Sequence, residues 1–359
     1  MSTVALRIGV AGANAERGWA QLAHLPAIRA LPGLEISAVL NRTQQGADAA
    51  AAAFGAAKAY TDIAALVNDP DVGIVAVTVR VLEHRAIVLA ALAAGKHVYC
   101  EWPLGRDLAE AQEMTEAARD NPVHVAIGTQ GPLAPAVRHA AKLVREGAIG
   151  RPLKLSVVSG CGGWGALTLP NYVYPEDKRN GATLSTIPDG HTIAAIEAVI
   201  GGYAEIDART TTTRDEVHIY GTNDTVEQLC ADHVLVIGRH SSGCVSSQEV
   251  VGGTVDTPLC FVLRGTKDTL TITGTHPGGY QCGQLTVATI PAAAPQPESI
   301  VPLFVDAPAN VAELWGACAA DIRNATRIVP NFDAAVRLTR VLDAIDRAAE
   351  TGRRVILED

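Results

Sequence analysis

Aromatic residues make up only 4% of this 359-residue chain, and positive charge is also short: 29 Lys and Arg against 38 Asp and Glu leave a net charge of −9. Such a balance does not suit the neutralisation of phosphate backbones, and no Lys/Arg block makes a local exception. Nucleic acid is therefore not expected as a direct partner. No apolar run approaches the ~18 uninterrupted residues of a membrane span, so no membrane partner is expected either. Met1 to Arg7 lacks the basic, apolar and small-residue succession of a secretion signal, which leads to an expected cytoplasmic location. Seven scattered cysteines, Cys100, Cys161, Cys230, Cys244, Cys260, Cys282 and Cys318, form no Cys-x-x-Cys pair and suit a reducing compartment. The histidines show no His-x-x-x-His spacing, and no metal site is expected. What is present, 48% hydrophobic and 19% charged residues, is an ordinary globular composition with length for about two domains.

The first third alternates short β-branched runs with helical patterns, the rhythm of parallel strands joined by crossover helices. Strands are predicted at Val4–Val10, Leu34–Leu40, Ile74–Thr78, His97–Cys100 and Val123–Ile127. Helices are predicted between them at Trp19–Ala30, Gln45–Phe54, Asp62–Val67, Glu83–Ala94 and Leu108–Arg119, the last opened by the N-cap residue Asp107. After Gly128 strand-like segments dominate, among them Leu153–Val158, Glu205–Thr213, Val226–Ile237, Gly243–Val251, Leu259–Leu263 and Thr269–Thr273. Helices at Pro135–Glu146 and His191–Ile200, a Pro/Ala-rich loop at 291–302, and closing helices at Val311–Arg327 and Asp333–Glu350 complete the pattern. The expected fold is α/β: a doubly wound dinucleotide-binding domain over residues 1–127 and, over 128–359, a second α/β domain with an open, mostly antiparallel sheet.

Gly9-Val10-Ala11-Gly12-Ala13-Asn14-Ala15-Glu16-Arg17-Gly18-Trp19 stands where the first strand turns into the first helix. A turn that receives a pyrophosphate needs positive φ and close backbone approach. Asn14 replaces the usual second glycine, and Asn tolerates the left-handed region better than other non-glycine residues. Gly18 is displaced by one residue from its expected place. The second strand ends Leu40-Asn41-Arg42-Thr43 without an acidic residue for the ribose of NAD, and Arg42 with Thr43 suits the 2′-phosphate of NADP. NADP is the expected cofactor, with NAD the alternative.

Val75–Thr78, His84, Ala94-Gly95-Lys96-His97-Val98, Cys100-Glu101-Trp102-Pro103-Leu104, Gly147–Gly150 and Gly352-Arg353-Arg354-Val355 resemble the glucose-fructose oxidoreductase and inositol dehydrogenase (Gfo/Idh/MocA) family across essentially the whole chain. Asn14-Ala15, Gly18-Trp19-Ala20, Glu101-Trp102, Gln130-Gly131, Gly162-Gly163-Trp164, Tyr172-Val173-Tyr174 and Gly190-His191-Thr192-Ile193 are similar to its fungal galactose-pathway repressor subgroup. The resemblance implies a Rossmann domain followed by a domain whose free sheet face carries homo-oligomer contacts, giving a dimer or tetramer. It places His84, Glu101, Trp102 and Gln130 with the glycine turn around the cofactor.

In that family a Lys after the Glu and a downstream His assist proton transfer. Here the Lys position holds Trp102, which exchanges no proton near neutral pH and suits a wall against the cofactor. His191 matches the family histidine, with an ordinary pKa fit for acid/base work. Asp189 is read either as a helix cap or as the group that orients the imidazole. Trp164, Tyr174 and Asp189 are candidate substrate contacts, and Tyr172 a substitute proton donor. Two readings stand: an NADP(H)-dependent oxidoreductase acting on a sugar, polyol or other small carbonyl compound, and an NADP-binding regulator working by protein contact.

Overall fold

The computed structural model describes residues 5–256, 259–290 and 306–357. The expected Pro/Ala-rich loop at 291–302 and the first residue of the expected first strand, Val4, lie outside these residues. The chain divides into two compact units, Met1–Thr129 with Ile300–Val336, and Gln130–Ser299 with Arg337–Asp359.

The first unit contains strands β1 (Leu6–Ala11), β2 (Leu34–Leu40), β3 (Lys58–Tyr60), β4 (Ile74–Val77), β5 (His97–Cys100) and β6 (Val125–Ile127). They form one parallel sheet in the order β3-β2-β1-β4-β5-β6. Helices α1 (Leu25–Ala30), α2 (Gln44–Phe54), α3 (Ile63–Val67), α4 (Val81–Ala93) and α5 (Leu108–Arg119) make the crossovers. Residues such as Ile74, Val75, Ala76 and Val77 are buried on both sides, as a sheet covered on both faces requires. The strand order reverses between β1 and β4, the point at which doubly wound sheets open a crevice at the carboxyl ends of their strands.

The expected helix from Trp19 to Ala30 is not uniform. Ala20–His24 forms a π-turn ahead of α1, in which the Leu25 amide reaches the Ala20 carbonyl. Pro26 supplies no N–H to the ladder, and the wider turn accommodates the missing bond.

The second unit opens with a 3-10 turn, Gly131–Leu133, and helix α6 (Pro135–Arg145). It continues through β7 (Pro152–Cys161), β8 (Leu167–Thr168), α7 (Gly190–Ile200), β9 (Tyr203–Thr211), β10 (Glu216–Ile219), β11 (Thr225–Glu227), β12 (His233–His240), β13 (Val245–Gly252), β14 (Leu259–Gly265), β15 (Thr269–Gly274) and β16 (Thr286–Ile290). Later in the chain come helix α8 (Pro308–Asn324), which belongs to the first unit, and α9 (Phe332–Thr351), which runs from the first unit's residues into the second's, and β17 (Val355–Ile356) returns to the edge of the second unit's sheet. The large sheet runs β16-β15-β14-β7-β13-β12-β9-β17 and is antiparallel except where β13 meets β7. Along β12, Val234, Val236 and His240 are buried while Leu235, Ile237 and Arg239 face out, the two-residue alternation of a sheet covered on one side.

Two expectations are revised. Val226–Ile237 is not one strand: β11 and β12 are separated at Asp232, whose carboxylate turns back to accept from the Thr213 amide (3.0 Å) and hydroxyl (2.7 Å). The division near residue 128 is not a single cut, because α8 is assigned to the first unit.

Candidate functional site

At the crevice of the first unit, β1 is followed by Gly12 with φ +94°. A Cβ there would lie 2.9 Å from the carbonyl carbon and oxygen of Thr78, just past β4, so only glycine lets the two strand ends meet this closely. Gly18 is also left-handed, at φ +92°. Gly9 answers a packing need instead: a Cβ would meet Leu66 and Val72 at 2.9 and 3.0 Å.

Asn14 does not take the left-handed conformation expected of it; among the described non-glycine residues only Trp164 and Ala325 have positive φ. Its side chain shapes the turn by accepting from the amides of Glu16 (3.0 Å) and Arg17 (3.2 Å). Asn41 ties the second strand to the same turn, donating from Nδ2 to the Ala13 carbonyl at 2.7 Å. Thr43 caps α2 by accepting from the Gly46 amide at 3.1 Å, which leaves its own O–H available. Arg42 is exposed, and its guanidinium makes no hydrogen bond or ion pair among the described residues. The Trp19 indole N–H is buried without a partner.

His84 is spent internally. It is 1% exposed, Nδ1 faces the Pro103 carbonyl at 3.0 Å and Nε2 the Val79 carbonyl at 3.1 Å. It therefore braces the segment that follows the buried Trp102 rather than presenting a nitrogen to a ligand. Glu101 is held by a chain with no sequence signature. Trp315 Nε1, a donor only, gives its hydrogen to His24 Nδ1 at 3.0 Å, so the His24 hydrogen is on Nε2 and points to Glu101 Oε1 at 2.8 Å. Gly128 makes room for that carboxylate, since a Cβ would lie 2.8 Å from its Cδ.

In the second unit, His191 is in the first turn of α7, directly after a second π-turn at Ser185–Asp189 that contains Pro188. Proline again removes a ladder donor, and π-turns recur at functional positions. His191 is 4% exposed and its Nδ1 has no hydrogen-bond partner. Burial pushes its pKa down to about 3.

Asp189 neither caps the helix nor orients the imidazole: it makes no side-chain cap and is not bonded to His191. Its Oδ1 accepts from Gln248 Nε2, and Oδ2 is buried without a partner. Burial, opposed by the Gln248 bond and reinforced by Asp346, pushes the carboxyl up to about 8. The polar chain runs on through the Tyr203 hydroxyl, which donates to Gln248 Oε1 at 3.1 Å. Beside Tyr203, His240 donates from Nδ1 to the Gly201 carbonyl (2.8 Å), so its Nε2 accepts from the Ser246 hydroxyl (2.9 Å).

Gln130 is fully buried with both carboxamide atoms unpartnered, and the 3-10 turn after it packs on α7. Trp164 takes a left-handed φ of +54°, an uncommon conformation for a bulky residue and one found at ligand sites. Gly252 permits it, because a Cβ there would meet the Trp164 carbonyl oxygen at 2.6 Å. The indole donates to the Pro175 carbonyl at 3.3 Å, next to Tyr174. Tyr172 and Tyr174 lie on 3-10 turns, not on a strand. Tyr172 is 43% exposed, and its hydroxyl makes no hydrogen bond among the described residues.

The model of an oxidoreductase family with an NAD-binding Rossmann fold matches residues 6–129, and that of the Gal80p C-terminal domain matches 135–274. Over residues 6–129 the chain matches the Gfo/Idh/MocA oxidoreductase family. Its C-terminal domain is Gal80p-like. Among curated relatives, 1,5-anhydro-D-fructose reductase of Ensifer adhaerens is 40% identical over 154 residues, covering 42% of this chain and 44% of that one. The galactose/lactose metabolism regulatory protein Gal80 of Saccharomyces cerevisiae is 25% identical over 293 residues, covering 75% and 67%. The chain spans about half the length of the first curated relatives it matches. The crystal structure of a super-repressor mutant of Gal80p from S. cerevisiae superposes with a TM-score of 0.88 over 98% of both chains at 21% identity, a likeness of fold.

Proposed function

We propose that the protein is an NADP(H)-dependent oxidoreductase that moves a hydride between nicotinamide and the hydroxyl-bearing or carbonyl carbon of a sugar, polyol or related small compound. In the oxidative direction a secondary alcohol and the oxidised coenzyme give a carbonyl compound, the reduced coenzyme and a proton. The observation that carries this reading is the pair of buried, unpartnered polar groups in the second unit, the Gln130 carboxamide and His191 Nδ1. Buried polar groups are ordinarily hydrogen-bonded, and a bound hydroxyl compound would supply what these two lack.

Fit to a dinucleotide rests on the Gly12 and Gly18 turn, the Asn14 and Asn41 ties, and the free, exposed Arg42 beside Thr43. The cofactor supplies the hydride exchange; the chain binds and orients it. Arg42 favours NADP, because a guanidinium pairs well with a phosphate. Titration with NADPH and NADH is expected to show tighter NADPH binding, and Arg42→Ala to lower NADPH affinity about tenfold with little effect on NADH. Coenzyme absorbance with a panel of carbonyl compounds, beginning with 1,5-anhydro-D-fructose, then tests turnover. Equal affinities would overturn the NADP assignment, and silence across the panel the enzyme.

The second reading, an NADP-binding regulator that acts by protein contact, is favoured by Trp102 in place of a proton-exchanging lysine and by the Gal80p-like C-terminal domain. It would leave coenzyme binding intact without turnover.

The protein is further read as a cytoplasmic homo-oligomer, dimer or tetramer, joined through the open sheet face. All seven cysteines are free thiols, and no helix among the described residues is long and apolar enough to cross a membrane. On that face Ile237 is 63% exposed between Ser247 and Asp207 on the flanking strands. Ile237→Asp is expected to halve or quarter the mass in sedimentation equilibrium; a wild type already monomeric at micromolar concentration refutes the assembly.

A further inference from the structure

Among the buried polar groups of the second unit that the reaction read above leaves unused is the hydroxyl of Tyr280. The side chain is 2% exposed, its ring lies nearly parallel to Phe261 at 5.8 Å, and the hydroxyl has no hydrogen-bond partner. Leaving a buried hydroxyl unpaired costs about 1–3 kcal/mol, and phenylalanine would fill the same space without that cost. The loop that carries it is tied in place. Pro277 accepts from the Gly162 amide at 2.9 Å, and His276 Nδ1 accepts from the Gly278 amide at 2.9 Å. The first of these bonds joins the Tyr280 loop to the one that carries Trp164.

The hydroxyl lies against Gly131, where a Cβ would be 2.7 Å from it, so the chain leaves out a side chain where the phenol passes. Gln130 immediately precedes that glycine, and the turn beginning at Gly131 packs on the helix whose first turn holds His191. A phenol and a carboxamide, both buried and each with an unpartnered polar atom, thus meet the chain at the consecutive positions Gly131 and Gln130, on a turn that packs on the helix of His191. Burial raises the phenol pKa well above its ordinary value, so it keeps its hydrogen and both donates and accepts.

We propose that Tyr280, with Gln130, clamps a hydroxyl or carbonyl oxygen of an uncharged ligand, so that Tyr280 is a specificity-determining residue of the second unit. This rests on the oxidoreductase reading. Two neutral donor–acceptor groups suit an alcohol or sugar hydroxyl and offer no compensating charge to a carboxylate or phosphate.

The test uses the full-length protein saturated with NADP+, with thermal unfolding followed against 1,5-anhydro-D-fructose, D-glucose, D-xylose and glycerol. The wild-type midpoint is expected to rise with at least one of them. Tyr280→Phe should unfold at or above the wild-type midpoint, since an unpaired hydroxyl is removed, yet bind that sugar about tenfold more weakly. A Tyr280→Phe protein with wild-type sugar affinity overturns the clamp and leaves the oxidoreductase reading standing. A wild type that responds to none of the four overturns both. Gln130→Met, which keeps the side-chain length and removes the hydrogen bonds, carries the same readout should Tyr280→Phe fail to fold.

Discussion

Asp189→Asn is expected to make the protein more stable at neutral and alkaline pH, and to leave it unchanged near pH 4. The carboxyl is fully buried, receives one hydrogen bond from Gln248 and has no cation beside it. Its folded pKa of about 8 is far above the ordinary 3.8 that it regains on unfolding. Between those values the folded state holds a proton that the unfolded state has released, so stability falls as pH rises from about 4 to 8 and levels beyond. Asparagine has the same shape and no proton to lose. By pH 7 the advantage of the variant is expected to reach roughly 2–4 kcal/mol, at 1.36 kcal/mol per unit of differential pKa with allowance for relaxation of the site. Denaturant midpoints of both proteins at pH 4, 5, 6, 7 and 8 check this, and parallel curves would refute it. Asp346, raised to about 6, holds a second such proton, so the slope should be steepest between about pH 4 and 6, where the folded state keeps both and the unfolded state neither. His191 and His240, held down to about 3 and about 4 by burial, act at the other end. They lose stability for the fold as pH falls below about 6.5, because only the unfolded state then takes the proton.

The parts of the fold that could be read from the sequence are those whose cause is local. Ile74–Val77 is a short wholly apolar run, three of its four residues β-branched, and a strand buried on both faces needs no other signal. Asp107 marks a helix start because its side chain reaches an amide only three residues away, whereas Thr43, which caps α2 in the same way, reads from the sequence only as a phosphate contact. β3 escaped notice because Lys58-Ala59-Tyr60 is too short to show alternation, and pairing with β2 rather than propensity makes it a strand. The π-turns at Ala20–His24 and Ser185–Asp189 depend on a proline within or just beyond a helical pattern, which a periodicity reading passes over. The candidate site divides the same way. Gly12, Asn14, Asn41 and Arg42 are turn chemistry and could be named, although Asn14 works through its side chain and not through its backbone angle. The brace of His24, Glu101 and Trp315 and the approach of Tyr280 to Gly131 join residues far apart in the chain. No spacing rule connects them. The burial that moves Asp189 and His191 in opposite directions is likewise a property of the packed unit, invisible in Asp189-Gly190-His191 as text.

That inversion determines what His191 can contribute, and gives the largest expected effect on activity. A histidine near its ordinary pKa would alternate between base and acid across neutral pH. Held near 3 by burial, this imidazole is unprotonated at neutral pH. In the oxidoreductase reading proposed above, its role is to orient a hydroxyl and accept a hydrogen bond through the unpartnered Nδ1, not to supply protons. His191→Leu is expected to lower kcat/KM by about 10²-fold, the lower end of the range for a positioned acid/base group. NADPH affinity should be unchanged. His191→Asn returns an acceptor or donor near the position of Nδ1 and is expected to recover part of the loss. The pH profile separates this role from general-base chemistry: wild-type kcat/KM should pass through pH 6.5 without an inflection, whereas a base of ordinary pKa would produce one that His191→Leu abolishes. Full turnover in His191→Leu would remove the residue from the reaction. With Trp102 unable to exchange a proton and Asp189 turned to Gln248, the phenols of Tyr172 and Tyr280 would then be the remaining named donors, and Tyr172→Phe and Tyr280→Phe would decide between them.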